Sequence, residues 1–226
     1  GGLVIDGSST LTSLDLTGVK IIDGDFVLNG QETLASFSAP DLTEVKGEII
    51  IGSQGDDEGN AKLASITFPV LEKVLSKFQV SSNAELTNVS SSKLETIGGE
   101  LKIDSCTSLS TIDLPLLSTS RGIYVSSNDA LAQLSLPSLT SNTAGLTVKE
   151  NENLIDISLD KLTQSIGSDD SDLGLAITDN AKLVTIGLTS MQSCSDSNCT
   201  GDFGIDISTN HDDVTVLLGT HIYPQE

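Results

Sequence analysis

One unit recurs along this chain and constrains the fold more than any other feature. Its clearest copy is residues 76–98, SKFQVSSNAELTNVSSSKLETIG, where Phe78, Val80, Leu86, Val89, Leu94 and Ile97 form an apolar skeleton. As a pattern it reads L-x-I-x-x-N-x-x-L-x-x-I-x-L-P-x-L-x-x-I-x-G. About nine copies fill the 226 residues, starting near Gly1, Gly24, Gly47, Ser76, Gly99, Arg121, Ala144, Leu173 and Phe203. Most are 22 or 23 residues long and three are 29 or 30. A fixed period in this range, without helical spacing, points to a solenoid forming a single domain over residues 1–226.

Each unit carries three short extended pieces. The first alternates with period two, from Leu3-Val4-Ile5 through Leu101-Lys102-Ile103 to Ile205-Asp206-Ile207, so its outer residues face inward and its middle residue outward. The second is seen in Leu63-x-x-Ile66-x-Phe68 and the third in Leu71-x-x-Val74. Equivalent pieces are expected to stack as parallel strands about 4.8 Å apart, giving an all-β rod roughly 40 Å long. A polar column follows the first strand: Ser8, Gln31, Asn83, Cys106, Asn128, Asn151, Asn180 and Asn210. Buried Asn side chains in such a column can bond the backbone of the turns above and below. Cys106 takes one rung, which makes it structural rather than nucleophilic. Prolines recur at one corner (Pro40, Pro69, Pro115, Pro137), and glycines mark the bend into the first strand.

Charge narrows the choice of partners. The net charge is −21, from 32 acids against 11 bases. Nucleic-acid affinity rests on neutralising phosphates with Lys and Arg, so nucleic acid is disfavoured. No stretch approaches the roughly 18 apolar residues of a membrane span, so no transmembrane segment is expected in this chain. Residue 1 already lies inside a repeat, which reads as a trimmed or mature start. Cys194 and Cys199 flank a short polar loop and read as a local disulfide that stiffens it, two free thiols being the alternative. Asn88-Val89-Ser90 and Asn198-Cys199-Thr200 are glycosylation acceptors. Together with the disulfide they favour an extracellular protein.

The junctions Ile22-Asp23-Gly24-Asp25-Phe26-Val27-Leu28, Val45-Lys46-Gly47-Glu48-Ile49-Ile50-Ile51 and Ile97-Gly98-Gly99-Glu100-Leu101-Lys102-Ile103 resemble the I-x-G-x-L-x-I signature of receptor L-domains. Those are leucine-rich-repeat-like right-handed parallel β-helices of insulin- and EGF-receptor ectodomains. The Ser/Thr-rich background and Cys106-Thr107-Ser108-Leu109-Ser110-Thr111-Ile112 look closer still to the fungal Ecm33/Sps2 family. Its members are GPI-anchored, glycosylated cell-surface proteins linked to wall integrity. The resemblance covers nearly all of the chain. It implies a right-handed β-helix at a cell surface and no catalytic residues.

Few residues are placed for chemistry. The two histidines, His211 and His221, both lie in the last 16 residues, away from any nucleophile motif. The outward column of the first strand runs Val4, Val27, Ile50, Gln79, Lys102, Tyr124, Thr147, Ala176, Asp206, apolar at first and polar later. It holds no cluster of acids for glycoside hydrolysis. The second strand's outward column has two Asp and one Thr among its serines, a poor match to an ice-binding array. Insertions near 52–62, 165–172 and 193–202 are acidic. Asp169, Asp170, Asp172, Asp196 and Asp202 are expected to leave one edge as an acidic ridge. Solvated loops are the plain reading of that ridge, and a Ca2+ site is the sharper one. The sequence therefore points to a non-enzymatic extracellular surface, wall or matrix protein. It would act by binding a protein or glycan ligand, or by self-association through its coil ends. The alternatives are a carbohydrate-active β-helix enzyme and a self-assembling filament or layer subunit.

Overall fold

The computed structural model describes residues 1–53, 59–165, 174–191, 205–211 and 213–218. Among these the chain is all-β, with 23 strands and no helix. Every strand pairing is parallel. First-face strands stack in chain order from Leu3–Asp6 through Phe26–Asn29, Ile49–Gly52 and Phe78–Ser81, then on to Leu146–Lys149, Leu175–Thr178 and Ile205–Asp206. Between them Thr96–Asp104 and Thr119–Ser126 run unbroken around the bend from the third face to the first, joining the two into one 14-stranded sheet. The register is strict: Phe78 pairs with Ile49 on one side and Leu101 on the other.

The period of the sequence thus becomes a stacked coil. Seven turns carry strands on all three faces, fewer than the nine repeats of the sequence. The last two repeats contribute strands to the first and second faces, and their third-face segments fall outside the described residues. The second face is divided, which the even spacing did not foretell. Five strands from Ser13–Asp15 to Thr111–Asp113 form one sheet, and four from Gln133–Ser135 to Thr215–Leu218 form another.

The interior is a column of aliphatic layers. Leu28, Ile51, Val80, Ile103, Val125, Val148 and Ile177 succeed one another and are all fully buried. Phe26, Phe37, Phe68 and Phe78 form an aromatic stack in the second to fourth coils. Its centroids are 5.9 Å apart for Phe26–Phe37, 5.4 Å for Phe37–Phe68 and 6.0 Å for Phe68–Phe78. The inward position of the third strand changes character along the rod. Ile22, Val45, Val74 and Ile97 give way to Ser120, Asn142 and Ser165, all buried. The serines bond the bend itself: Ser120 Oγ donates to the carbonyls of Gly99 and Gly122, and Ser165 Oγ to that of Gly174.

The many hydroxyls have a structural use. Thr87 Oγ1 donates to Ala64 O, Ser110 Oγ to Thr87 O, Ser118 Oγ to Glu95 O and Thr163 Oγ1 to Thr140 O. Each bond ties one coil to the coil before it.

A tight left-handed corner follows eight of the nine first strands, the third, Ile49–Gly52, being the exception. Gly7 and Gly30 occupy it first, with φ of 62° and 61°, and then Ser82, Ser105, Ser127, Glu150, Asp179 and Thr209 at 52–57°. This is the left-handed region, which penalises a Cβ by roughly 1–2 kcal/mol. Ser82→Gly is therefore expected to stabilise the fold by at most about 1 kcal/mol, since glycine's greater freedom in the unfolded chain offsets part of the relief. The measurement is the urea midpoint, and a fall in it would refute strain at this corner.

Candidate binding face

The residue after each left-handed corner points into the solenoid and forms a polar ladder. Asn128 N–H donates to Asn151 Oδ1 at 3.1 Å, Asn151 N–H to Asn180 Oδ1 at 3.1 Å and Asn180 N–H to Asn210 Oδ1 at 3.0 Å. Each side-chain amide then donates to backbone carbonyls: Asn83 Nδ2 to Ile51 O and Ser81 O, Asn151 Nδ2 to Val125 O and Lys149 O. Gln31 makes the same kind of contact to Ile5 O and Asn29 O. Ser8 differs, its Oγ accepting from the N–H groups of Thr10 and Leu11 within its own turn.

Asn60 belongs to this ladder and was missed in the sequence. Its Oδ1 accepts from Gln31 N–H, while its own N–H and Nδ2 both donate to Asn83 Oδ1. The signal was there, since Asn60-Ala61-Lys62-Leu63 repeats the N-x-x-L of the unit, but the preceding insertion shifts its phase.

Cys106 fills its rung differently. Its N–H donates to Asn128 Oδ1 and its Sγ to Asp104 O at 3.4 Å. Burial pushes its thiol up to about 12, against the pull of hydrogen bonding from Asn83. At neutral pH it carries no thiolate, the form required of a nucleophile.

What remains for function is on the outer faces. The main sheet aligns Gln79, Lys102, Tyr124, Thr147, Ala176 and Asp206 as one column. The parallel column two residues on is Ser81, Asp104, Ser126, Lys149 and Thr178. Where they meet, Lys102 Nζ sits 5.6 Å from the centroid of the Tyr124 ring and 3.6 Å from Asp104 Oδ1. Lys149 Nζ is 3.3 Å from Glu150 Oε1. Its ammonium is held above the ordinary lysine value first by Glu150 and also by Tyr124. Lys77 pairs with Glu100 at 3.7 Å beside them. Three of the chain's 11 cations are thus gathered on this face, whereas the flanking outward positions of the first three coils carry Asp6, Asp25 and Glu48.

Two residues of the outward column are covered. Ile50 and Gln79 are only 3% and 6% exposed, although alternation alone would place them in solvent. Gln79 Nε2 donates to Ser53 O, just past the third first-face strand, at 2.8 Å. Val4, in the first coil, is 65% exposed.

The other sequence candidates fall into two groups. Asn88 and Ser90 lie on the strand Asn88–Ser90 of the second face, flanking the buried Val89 and half-exposed themselves. His211 Nδ1 accepts from Asp213 N–H within its turn. Cys194, Cys199, Asn198, His221 and the acidic-ridge residues Asp169, Asp170, Asp172, Asp196 and Asp202 lie outside the described residues.

The class these features define is a parallel β-solenoid with a mixed aromatic and charged patch on its broadest sheet. Compared with protein-family models, curated proteins and solved structures, the chain finds no match.

Proposed function

We propose that this is a non-enzymatic extracellular protein of a cell surface, wall or matrix, acting by binding through the outer face of its main sheet. In this reading it is a solenoid of the receptor L-domain type, akin to the fungal surface family whose motifs it resembles. The observation that carries the proposal is the patch of Tyr124, Lys102 and Lys149. Most polar groups in the interior are committed to stacking, but these side chains are at least partly open to solvent, the two lysines each beside a carboxylate, Asp104 and Glu150. The acceptor Asn88 on the second face supports an extracellular setting, because a glycan there projects away from the core.

In its source cells the epitope-tagged protein is expected in the surface or medium fraction, with a glycosidase-sensitive glycan on Asn88 detected by mass spectrometry. A cytosolic, unglycosylated product overturns the extracellular reading. Incubation with polysaccharides is expected to release no new reducing ends, and steady release would instead establish an enzyme.

A further inference from the structure

We infer that the Tyr124 face is a binding site for a neutral, extended polysaccharide whose chain lies along the stacking axis. This rests on the reading of the main sheet as a binding face, and it names the ligand's chemistry.

On the side of the ring away from Lys102 the next rungs of the column are Thr147 and Ala176, both short, with Lys149 at their edge. A half-exposed aromatic ring above short neighbours suits the apolar face of a sugar, whose axial C–H groups pack on a π surface. Lys102 already uses that surface, at 5.6 Å from the centroid.

The polar groups around the ring come as donors beside acceptors. Lys102 lies next to Asp104, Lys149 next to Glu150, and Lys77 next to Glu100. Ser81 donates to Asp104, and Thr147 adds a hydroxyl on the same column. A sugar hydroxyl both donates and accepts, and an ammonium–carboxylate pair answers both. The same pairing leaves the patch nearly balanced in charge. An anionic polymer would meet these neutralised lysines against the field of a chain of net charge −21, and a cationic one would find better sites elsewhere. A neutral chain fits this island. The geometry also repeats, since strands about 4.8 Å apart offer one rung for roughly each residue of an extended β-linked glycan.

The test is co-sedimentation of the intact protein with insoluble curdlan, cellulose and chitin, with pectate gel as the acidic comparison. Wild type is expected to be retained by at least one neutral polymer, with little sensitivity to added salt. Tyr124→Ala should weaken that retention at least about tenfold, the loss of one stacking contact. Tyr124→Phe should preserve it, Lys102→Ala should lower it, and Ser36→Ala on the second face should leave it unchanged. Far-UV circular dichroism of each variant shows that the solenoid is intact. Retention only by pectate, or on none of the polymers, overturns the ligand assignment. Retention that Tyr124→Ala leaves unchanged overturns the site, although a binding protein would remain. The extracellular reading is decided separately by the surface fractionation.

Discussion

Replacing Asn151 with alanine is expected to remove about 3–5 kcal/mol of stability, because it strips several buried groups of partners at once. Asn151 is fully buried. Its Oδ1 accepts from both the N–H and the Nδ2 of Asn128, at 3.1 Å and 3.3 Å. Its Nδ2 donates to Val125 O at 3.2 Å and Lys149 O at 2.9 Å. Alanine takes the acceptor from the Asn128 N–H and Nδ2 and a donor from Val125 O, whereas Lys149 O keeps the Ser127 N–H. Buried groups that lose a partner this way each cost about 1–3 kcal/mol. The damage falls on two interfaces, since Asn151 also reaches Asn180 in the next coil. In a solenoid, stability is carried largely by such nearest-neighbour contacts. The expected result is a large drop in urea midpoint, with faster exchange of the Asn128 amide. Ser36→Ala on the exposed second face should stay within about 0.5 kcal/mol of wild type. Comparable midpoints for the two variants would show that the ladder is incidental.

Much of this ladder was legible in the sequence, for a physical reason. A coil closes after a nearly fixed number of residues, so groups with one structural job recur in phase. The apolar letters of residues 76–98 illustrate it: Phe78, Val80, Leu86, Val89, Leu94 and Ile97 are all buried where the period places them. The pattern fails where phase or covering changes. Asn60 escaped notice because the insertion before it lengthens its coil. The left-handed corner escaped because Ser, Glu, Asp and Thr fill it as well as Gly, so no single residue type marks it. Alternation places Ile50 and Gln79 outward, yet both are buried, and Gln79 bonds Ser53 O just beyond the neighbouring strand, a contact that alternation cannot show. The polar interior at Ser120, Asn142 and Ser165 depends on carbonyls and an amide of the bend that only the folded coil brings near.

The proposed binding face was less legible than the core for the same reason. Core positions answer to stacking and therefore repeat, whereas Tyr124 occurs once in its column. The sequence showed that the column turns polar. It did not show that Lys102 reaches the Tyr124 ring, or that each lysine of the patch has a carboxylate beside it. Lys102 with Tyr124 and Lys77 with Glu100 are relations between neighbouring coils, set by register, while Lys102–Asp104 and Lys149–Glu150 form within one coil through side-chain orientation. A single-copy departure from a repeat is where such a chain has freedom to acquire function, since nothing in the stacking requires it.

Cys106 supplies the second large effect, visible only at high pH. Burial pushes its thiol from about 9 in an open chain to about 12, opposed by hydrogen bonding from Asn83 and aided by the nearby charge of Asp104. Below pH 9 the group is protonated whether the chain is folded or not, and its stabilising contribution is fully present. As pH rises from about 9 to 12 the unfolded chain releases this proton while the folded chain retains it. The unfolded state is then favoured, and stability falls with pH by a total of roughly 4 kcal/mol from this one group. Cys106→Ser removes the effect, because serine does not titrate there and its hydroxyl can still donate to Asp104 O. Lysines, tyrosines and the other two cysteines contribute equally to both proteins. The stability difference between wild type and Cys106→Ser is therefore expected to be flat up to about pH 9 and to move steadily against wild type above it. Iodoacetamide at pH 8 should leave Cys106 unmodified in the folded protein and label it after unfolding. Parallel pH profiles for the two proteins, or ready alkylation in the folded state, would show that this rung of the ladder is open to water.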